Sequence, residues 1–516
     1  MKKLLVTYSL LGTFTAAFAQ NETAMKFAGY ITPDDAKKHL SIIASDAFEG
    51  RETGKPGAEK AANYIAGEFK KLGLEAPVNG SYFLNVPLVE NSLTVSFALN
   101  GKTLTPGNDY TLTGAHADKI INSDDIVFIG YGTNAELGNT DITGKVVLWI
   151  NEDKPQPGVT TNTASRLSAE RIKIVAALKS KNPAIILAAN PNVANALRQY
   201  RNNLLHSSLS IKRDKPTPLD AQAASVTVTG ELADELLKPT GKTFAQMIAD
   251  AGSGTNTVQT IKTDVKISYH DELKDVKAVD VLGYLPGTDL KNELVVFSAH
   301  YDHIGLNADG PDKVNNGADD DGSGTTGVLE MARAFTEAKK AGHGPRRSLL
   351  FLGNVGEEKG LLGSEYYSDH PVFPLANTIA DVNTDMIGRI GYDYQGKPDS
   401  ANSIYVVGSA MLSKELKQIN ETANNTYTKL HLDYKYDDPN DPERVYYRSD
   451  HYNFAKHGIP IVFYTSGLHD DYHKPGDEVS KINFPALVKR AQLAFYTGWE
   501  LANRDKRPVV DAVPGK

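Results

Sequence analysis

The stretch from Leu294 to His303 reads LVVFSAHYDH and indicates both a fold and a site. Its first half, Leu294–Ser298, is an apolar run of the kind that forms a buried strand. His300, Asp302 and His303 follow where that strand ends. From about residue 263 onward, apolar strands alternate with amphipathic helices. This alternation predicts an α/β fold with a mixed, mostly parallel sheet flanked by helices.

Four further segments rich in His, Asp or Glu occupy equivalent positions beside predicted strands and helices. They are Asn316–Asp321 before the helix starting at Thr325, Gly356–Glu358 after the strand Arg347–Leu352, Asn383–Met386 after Thr378–Val382, and His469–His473 after Ile459–Tyr464. Open α/β sheets bind ligands at the carboxyl ends of their strands, so these segments converge on one rim. Oxygen and nitrogen ligands in this number suit two zinc or manganese ions rather than one.

Each segment alone also has a structural explanation. Acidic residues such as Asp319–Asp321 are favoured at a helix N-terminus by the helix dipole, and Glu357 and Glu358 could be surface residues. Their joint occurrence at consecutive strand ends favours the metal site.

Two other motifs are excluded by their context. Gly322–Gly327 matches G-x-G-x-x-G, but it follows an acidic loop and lacks the β-α-β unit of a dinucleotide site. Ser449–His451 contains the letters of a catalytic triad, but the chain has no G-x-S-x-G elbow. The sequence therefore does not indicate an oxidoreductase or a serine hydrolase.

Length and composition narrow the class of protein. A chain of 516 residues predicts two or more domains, and a net charge of −8 argues against a nucleic-acid-binding protein. The chain has no cysteine, so a zinc site must use His, Asp and Glu.

The N-terminus has the features of a signal peptide. Lys2 and Lys3 precede the apolar stretch Leu4–Phe18, and Ala17-Phe18-Ala19 fits the small-x-small cleavage rule. We predict cleavage after Ala19 and a periplasmic or secreted protein; an N-terminal anchor is the alternative. No later stretch reaches about 18 apolar residues, so we expect no membrane span after signal removal.

The remaining chain divides into three parts according to its pattern of predicted strands and helices. We predict an N-terminal part of the main domain over 20–90, an inserted domain over 91–262 and the main domain over 263–510. The insertion shows short β-like runs, one helical stretch (Ala169–Lys179) and no His–acid cluster. An elaborate loop system within one larger domain is the alternative.

Taken together, these motifs resemble the co-catalytic dizinc exopeptidases of metallopeptidase family twenty-eight. The resemblance rests on Ala299–Gly305, Gly317–Gly324, Glu357–Ser364, Asn383–Met386 and Asp471–Asp477, with support from Phe48–Arg51. The insertion more weakly resembles a protease-associated domain, mainly β, through Gly144–Leu148 and Lys173–Leu187. Asp280 departs from the family pattern, which has Asn before Val281, and we expect this to be tolerated in a strand.

The resemblance implies a role for each site residue. His300 and Asp385 would bind one ion, Glu358 and His473 would bind the other, and Asp319 would bind both. Asp302 would orient His300, and Glu357 would be the general base. Tyr447 or Arg448 would contact the substrate and stabilise the oxyanion. It also implies a cis peptide bond between Asp319 and Asp320. The cofactors would be two Zn2+ per chain, with Mn2+ or Co2+ as substitutes.

The implied reaction is removal of N-terminal residues from peptides by a metal-bridged hydroxide, with Glu357 as base. The substrates would be peptides with a free N-terminus. Three alternatives stay open: a carboxypeptidase or dipeptidase of the same family, a glutaminyl cyclase, and a non-catalytic receptor-like homologue. Side-chain preference and oligomeric state do not follow from the sequence.

Overall fold

A computed structural model of the chain describes residues 22–115, 118–154, 168–199, 207–213, 222–307, 310–438 and 440–511. The predicted signal peptide, residues 1–19, lies outside this part of the chain. Within the described residues, none of the helices is both long enough and apolar enough to span a bilayer.

The helices, in chain order, are α1 Pro33–Ile43, α2 Pro56–Leu72, α3 Asn134–Leu137, α4 Ala169–Ser180, α5 Ala194–Gln199, α6 Gly230–Leu237, α7 Phe244–Gly252, α8 Gly322–Lys340, α9 Leu362–Asp369, α10 Lys414–Ala423, α11 His451–Ala455 and α12 Phe484–Asn503. A helical segment over 22–28 precedes α1. The strands are β1 Phe83–Leu99, β2 Lys102–Thr103, β3 Tyr110–Thr113, β4 Lys119–Phe128, β5 Val146–Ile150, β6 Ile185–Asn190, β7 Ser208–Ile211, β8 Ser225–Thr229, β9 Gln259–Leu285, β10 Leu290–His300, β11 Arg347–Asn354, β12 Thr378–Thr384, β13 Ser403–Val407, β14 His431–Asp433 and β15 Ile461–Thr465.

The chain forms two compact units. The main unit combines Met1–Leu88 with Val276–Lys516, and the inserted unit is Val89–Asp275. The division falls inside β1 and β9, so each of these long strands contributes residues to both units.

The sheet of the main unit is mixed and mostly parallel, as predicted. Its strand order is β14-β13-β15-β12-β10-β11-β9. β10 pairs in parallel with both β11 and β12, and β12 pairs in parallel with β15. β9 and β13 join this block through antiparallel pairs. Because the four central strands run in one direction, their carboxyl ends meet at one edge of the sheet.

Aromatic rings fill the space between the central strands and the long helices. Phe297 of β10 lies 5.4 Å from Phe335 of α8, and Phe335 lies 4.6 Å from Phe495 of α12, measured between ring centroids. All three side chains are fully buried. Packing of this kind fixes the helices against the sheet and therefore fixes the strand ends.

The inserted unit contains more helix than the sequence indicated. β4, β5, β6 and β8 pair in parallel succession, and β3 pairs antiparallel with β8. The prediction of a single helical stretch in the insertion is wrong, because α3, α5, α6 and α7 also belong to this unit, although its strands still contain more residues than its helices. The helices α6 and α7 both start at a threonine N-cap and bury one apolar face. The helical periodicity of their apolar residues was obscured by the short β-like runs nearby.

A buried carboxyl group lies in the strand β9, at Asp280. Its Oδ1 accepts a hydrogen bond from the backbone N–H of Val355 at 2.9 Å, and its Oδ2 has no partner among the described residues. Burial, together with the negative charges of Asp450 and Asp302, holds the pKa of Asp280 well above its usual value. A protonated carboxyl is neutral, like the asparagine amide found there in the family pattern.

We therefore expect Asp280→Asn to be tolerated and to gain stability relative to the wild type as pH rises. The raised pKa of Asp280 in the folded state means that its contribution is fully present below the pKa of about 4 in the unfolded chain and is lost as pH rises above it. The amide does not titrate, so the difference in the free energy of unfolding should grow by up to about 1.4 kcal/mol per pH unit. Denaturant unfolding of both proteins between pH 5 and pH 9, under otherwise identical conditions, measures this. Parallel stability curves would contradict it.

Candidate metal centre

The first cluster at the sheet edge gathers around the end of β10. His300, the last residue of that strand, directs Nε2 towards Asp320 Oδ1 at 3.3 Å and Asp385 Oδ2 at 3.7 Å. Asp385 directly follows β12. These three side chains are buried, and one ligand atom from each lies within 4.8 Å of the others. They can therefore hold a metal ion.

The second cluster lies on the other side of Asp320. His473 Nε2 is 3.1 Å from Asp320 Oδ2 and 3.0 Å from Glu358 Oε2. His303 Nδ1 is 2.8 Å from Glu358 Oε1 and 3.7 Å from Asp320 Oδ2. His303, Asp320 and Glu358 form a second group able to hold an ion.

The residue common to both clusters is Asp320, so the expectation that Asp319 bridges two ions is wrong. Asp319 turns away from the clusters: its Oδ1 accepts hydrogen bonds from the N–H of Gly388 at 2.6 Å and the hydroxyl of Ser323 at 2.9 Å. Asp321 instead caps α8 by accepting from the N–H of Gly324 at 2.8 Å. Three consecutive aspartates thus have three different partners.

The position of the cis peptide bond is also corrected. The structure has a cis bond between Asp320 and Asp321, one residue later than expected. The same shift of one residue explains both corrections, because the choice among adjacent aspartates depends on the loop conformation rather than on spacing.

Asp302 supports His300 differently from the prediction. His300 Nδ1 lies 3.1 Å from the backbone carbonyl oxygen of Asp302 and 3.8 Å from its carboxylate. The carboxylate instead accepts from the hydroxyl of Thr53 at 2.6 Å and from the N–H of Glu357 at 3.2 Å. Asp302 therefore links the first cluster to the segment that carries Glu357 and Glu358.

Glu357 and Glu358 face different clusters although they are adjacent. Glu357 Oε2 is 3.8 Å from His300 Nε2 and lines a cleft, whereas Glu358 contacts the two imidazoles of the second cluster. Burial and the neighbouring charges of Glu358 and Asp385 hold the pKa of Glu357 well above its usual value. A carboxylate with a raised pKa is a stronger proton acceptor.

The electrostatics of both clusters favour positive charge. Burial lowers the pKa of His300, but the carboxylates of Glu357 and Asp385 outweigh it and hold that pKa well above the usual range. Burial also lowers the pKa of His473, but its contacts with Asp320 and Glu358 outweigh this effect and raise that pKa to about 10. Carboxylates that stabilise a bound proton in this way also stabilise a metal cation.

The donor atoms themselves fit such cations. His300 Nε2, both ring nitrogens of His303, Asp320 Oδ2 and Glu358 Oε1 are buried and lack hydrogen-bond partners among the described residues. Unpaired buried polar atoms are costly, and a shared cation would satisfy several at once. Imidazole and carboxylate donors without thiolates are ordinary zinc ligands.

Two buried charges hold the loop that presents Asp320. The Arg51 guanidinium donates to the carbonyl oxygens of Asn316 at 2.6 Å and Gly317 at 2.8 Å. From the other side, Asp477 Oδ2 accepts from the N–H groups of Asp319 at 2.9 Å and Asp320 at 3.0 Å. The loop is therefore fixed through both its carbonyl and its amide groups.

A cleft opens beside the clusters, and the two predicted substrate residues differ in their relation to it. Its lining includes Asp320, Glu357 and Asp385 together with Arg448, whose guanidinium donates to the Tyr472 hydroxyl at 3.3 Å. Tyr447 does not belong to this lining. Tyr447 is 45% exposed, and its ring packs against Arg444 and Tyr452.

Sequence reasoning missed three residues that the structure brings to the site. Asp320 and His303 both stand inside motifs that were recognised, but neither received a role there. Tyr472 precedes His473 and stacks on it with ring centroids 3.9 Å apart. For His303, the available signal was a second imidazole three residues after His300.

Comparison with known proteins finds a family match over part of the chain. A family model described as peptidase family M28 matches residues 280–497. A probable leucine aminopeptidase of Arthroderma otae is 30% identical over 232 residues, which is 44% of this chain and 58% of that protein. The chain spans little more than half the length of the curated relatives that it matches.

Two solved structures share the fold. An aminopeptidase from Aneurinibacillus sp. strain AM-1 has a TM-score of 0.56 at 17% identity, covering 95% of this chain and 98% of its own. A zinc aminopeptidase from Bacillus subtilis has a TM-score of 0.50 at 18% identity, covering 93% and 97%. Both likenesses cover nearly the whole chain. The match to peptidase family M28 over residues 280–497 falls on the part of the chain that carries both clusters.

Proposed function

We propose that this protein is a two-zinc aminopeptidase that removes N-terminal residues from peptides. The observation that carries the proposal is the position of Asp320, whose two carboxylate oxygens face different clusters: Oδ1 faces His300, and Oδ2 faces His473. A carboxylate shared in this way can bridge two ions. The names of the relatives, which include leucine aminopeptidases and a zinc aminopeptidase, support the same activity.

In this proposal His300, Asp320 and Asp385 hold one zinc ion, and Asp320, Glu358 and His473 hold the other. Bound zinc would polarise the scissile carbonyl and make a water molecule acidic enough to attack it near neutral pH. Mn2+ or Co2+ could substitute, because the donor atoms suit these ions as well.

Glu357 acts as the general base. Its carboxylate lines the cleft beside Asp320 and Asp385 without being needed as a ligand. It takes a proton from the attacking water and delivers it to the leaving amine, a transfer for which a raised pKa is suited. The Asp302 carboxylate accepts a hydrogen bond from the backbone N–H of Glu357 and so keeps the base in place.

The cleft also supports a preference for apolar side chains. Met386, Val445, Phe463 and Leu468 line it together with two tyrosines. An apolar wall next to the reacting groups favours a leucine-like residue at the peptide N-terminus. Arg448 lies in the same cleft and is the candidate to stabilise the oxyanion. Export of the mature protein to the periplasm or beyond is part of the proposal, resting on the signal-like N-terminus.

The bridging role of Asp320 predicts a contrast between adjacent aspartates. Asp320→Asn should lose both zinc ions, because each cluster loses a carboxylate oxygen. Asp319→Asn is the matched control, equally buried, and should retain about two ions per chain because its carboxylate bonds to backbone and hydroxyl groups instead. Elemental analysis after dialysis measures the zinc content. Loss of zinc from the Asp319 variant alone would restore the sequence-based assignment.

The role of Glu357 predicts loss of activity without loss of metal. Glu357→Ala should lower kcat by about two to four orders of magnitude, the usual contribution of a general base, with zinc content unchanged. Glu358→Ala is the control and should lose zinc as well as activity, because it contacts two imidazoles. Stopped assays on a leucine-terminated peptide, paired with elemental analysis, separate the two effects. Full activity of the Glu357 variant would remove this residue from the mechanism.

The aminopeptidase assignment predicts the outcome for a pair of peptides that differ only at the N-terminus. The zinc-loaded protein should release residues stepwise from the peptide with a free amine, leave the acetylated peptide intact, and stop when a chelator is added. Mass spectrometry follows both peptides.

Other outcomes would redirect the proposal. Release from the C-terminus of both peptides would identify a carboxypeptidase, and cyclisation of an N-terminal glutamine would identify a glutaminyl cyclase. Absence of any reaction across a panel of peptides by the zinc-loaded protein would favour a non-catalytic homologue.

A further inference from the structure

His303 is a buried imidazole without a conventional partner. Its side chain has no solvent exposure, and neither ring nitrogen has a hydrogen-bond partner among the described residues. A buried polar group left in this way costs stability unless something else satisfies it. The fold nevertheless makes room for the ring: a Cβ at Gly317 would lie 2.5 Å from it, so that position must be glycine.

The imidazole is aimed at the second cluster. Its Nδ1 approaches Glu358 Oε1 to 2.8 Å, yet the two atoms are not aligned as a hydrogen bond. Close donor atoms without an aligned proton between them are what a shared cation produces, because the lone pairs then point at the ion rather than at each other. In a tetrahedral zinc site, two neighbouring ligand atoms lie about 3.3 Å apart, because each zinc–ligand bond is about 2.0 Å long. The distances from His303 Nδ1 to Glu358 Oε1, 2.8 Å, and to Asp320 Oδ2, 3.7 Å, lie on either side of this value.

His303 and His473 flank the same two carboxylates. Their ring centroids are 5.8 Å apart with an interplanar angle of 71°. His473 is 38% exposed and approaches from the solvent side, whereas His303 approaches from the protein interior. The two imidazoles therefore complete a set of four donor residues: His303, Asp320, Glu358 and His473.

We propose that His303 is a fourth protein ligand of the ion held by Asp320, Glu358 and His473. This inference rests on the proposed two-zinc function and deepens it. The ion held by His300, Asp320 and Asp385 has three protein ligands, which leaves a position open for water or substrate, as in catalytic zinc sites. A set of four protein ligands is typical of tightly held zinc. The two ions should therefore differ in affinity, with the His303 site filling first.

The test is a zinc titration of the full-length mature protein and its variant His303→Ala, after both have been stripped with a chelator and shown to be folded by circular dichroism. The wild type should bind two ions in two unequal steps. In His303→Ala the tighter step should weaken by about 100-fold or more, beyond the 10–100-fold typical of residues that only support a ligand, while the weaker step stays within about threefold. Isothermal titration calorimetry gives both affinities without relying on activity.

The matched control is His451→Ala. His451 is equally buried and also has one unpartnered ring nitrogen, but it stacks on Phe463 at 4.6 Å and bonds to the backbone of Tyr446 rather than facing carboxylates. Loss of this imidazole should cost packing and leave both zinc affinities unchanged.

A measurement on the wild type keeps the proposal testable even if His303→Ala does not fold. X-ray absorption of the protein loaded with a single equivalent of zinc should show two imidazole ligands, from His303 and His473. A single imidazole would overturn the proposal, as would unchanged affinities in His303→Ala. Failure of the wild type to bind two ions would instead overturn the two-zinc function itself, so the two failures are distinguishable.

Discussion

The buried guanidinium of Arg51 is the interaction on which the candidate metal centre depends. It has no carboxylate within bonding distance among the described residues; its donors reach the carbonyl oxygens of Tyr301, Ile43, Asn316 and Gly317 instead. These carbonyls belong to the N-terminal segment, the end of the β10 region and the loop before α8. Arg51 thus joins three stretches of chain that are distant in sequence. A planar group with five fixed donors suits this task, whereas a lysine would carry three donors on a single nitrogen atom.

Electrostatics explain why that anchor is a cation. Burial lowers the pKa of Arg51, and the nearby carboxylates of Asp320 and Asp302 oppose this effect only in part. Arg51 binds the carbonyl oxygens of the loop before α8, and Asp477 accepts hydrogen bonds from the N–H groups of the same loop. Carboxylates packed this closely repel one another, and fixed backbone dipoles alone do not neutralise them. The arrangement therefore requires cations, first Arg51 and then the ions that the clusters can hold.

Most of the fold could be predicted from the sequence because its signals are local. The strand predicted from Arg347 to Leu352 is observed as Arg347–Asn354, and the strand predicted from Thr378 to Val382 as Thr378–Thr384. The long strands β1 and β9 were missed, because alternating burial over 17 and 27 residues is interrupted by exposed polar residues. The helix Ala169–Ser180 of the inserted unit was predicted, but the other helices of this unit were missed for a similar reason, since short apolar runs suit either structure.

The site was predictable to the level of its segments but not of each side chain. Every predicted ligand segment reaches the same sheet edge, because parallel strands place their ends together. Within Asp319–Asp321, however, the choice of the shared residue depends on where the loop meets Gly388, His300 and Gly324. No periodic pattern encodes those contacts. His303 was overlooked for the related reason that its burial, and not its position in a motif, makes it notable.

The adjacent pair Glu357 and Glu358 shows how the fold separates two tasks with one turn. The segment leaves β11, and successive side chains there point in different directions, so Glu357 lines the cleft and Glu358 reaches the second cluster. Asp302 fixes the backbone of Glu357 while its own carbonyl contacts His300. A change in that turn would therefore move the proposed base Glu357, the proposed ligand Glu358 and the contact that supports His300 together. This coupling explains why the five segments must be positioned by a rigid sheet and not by independent loops.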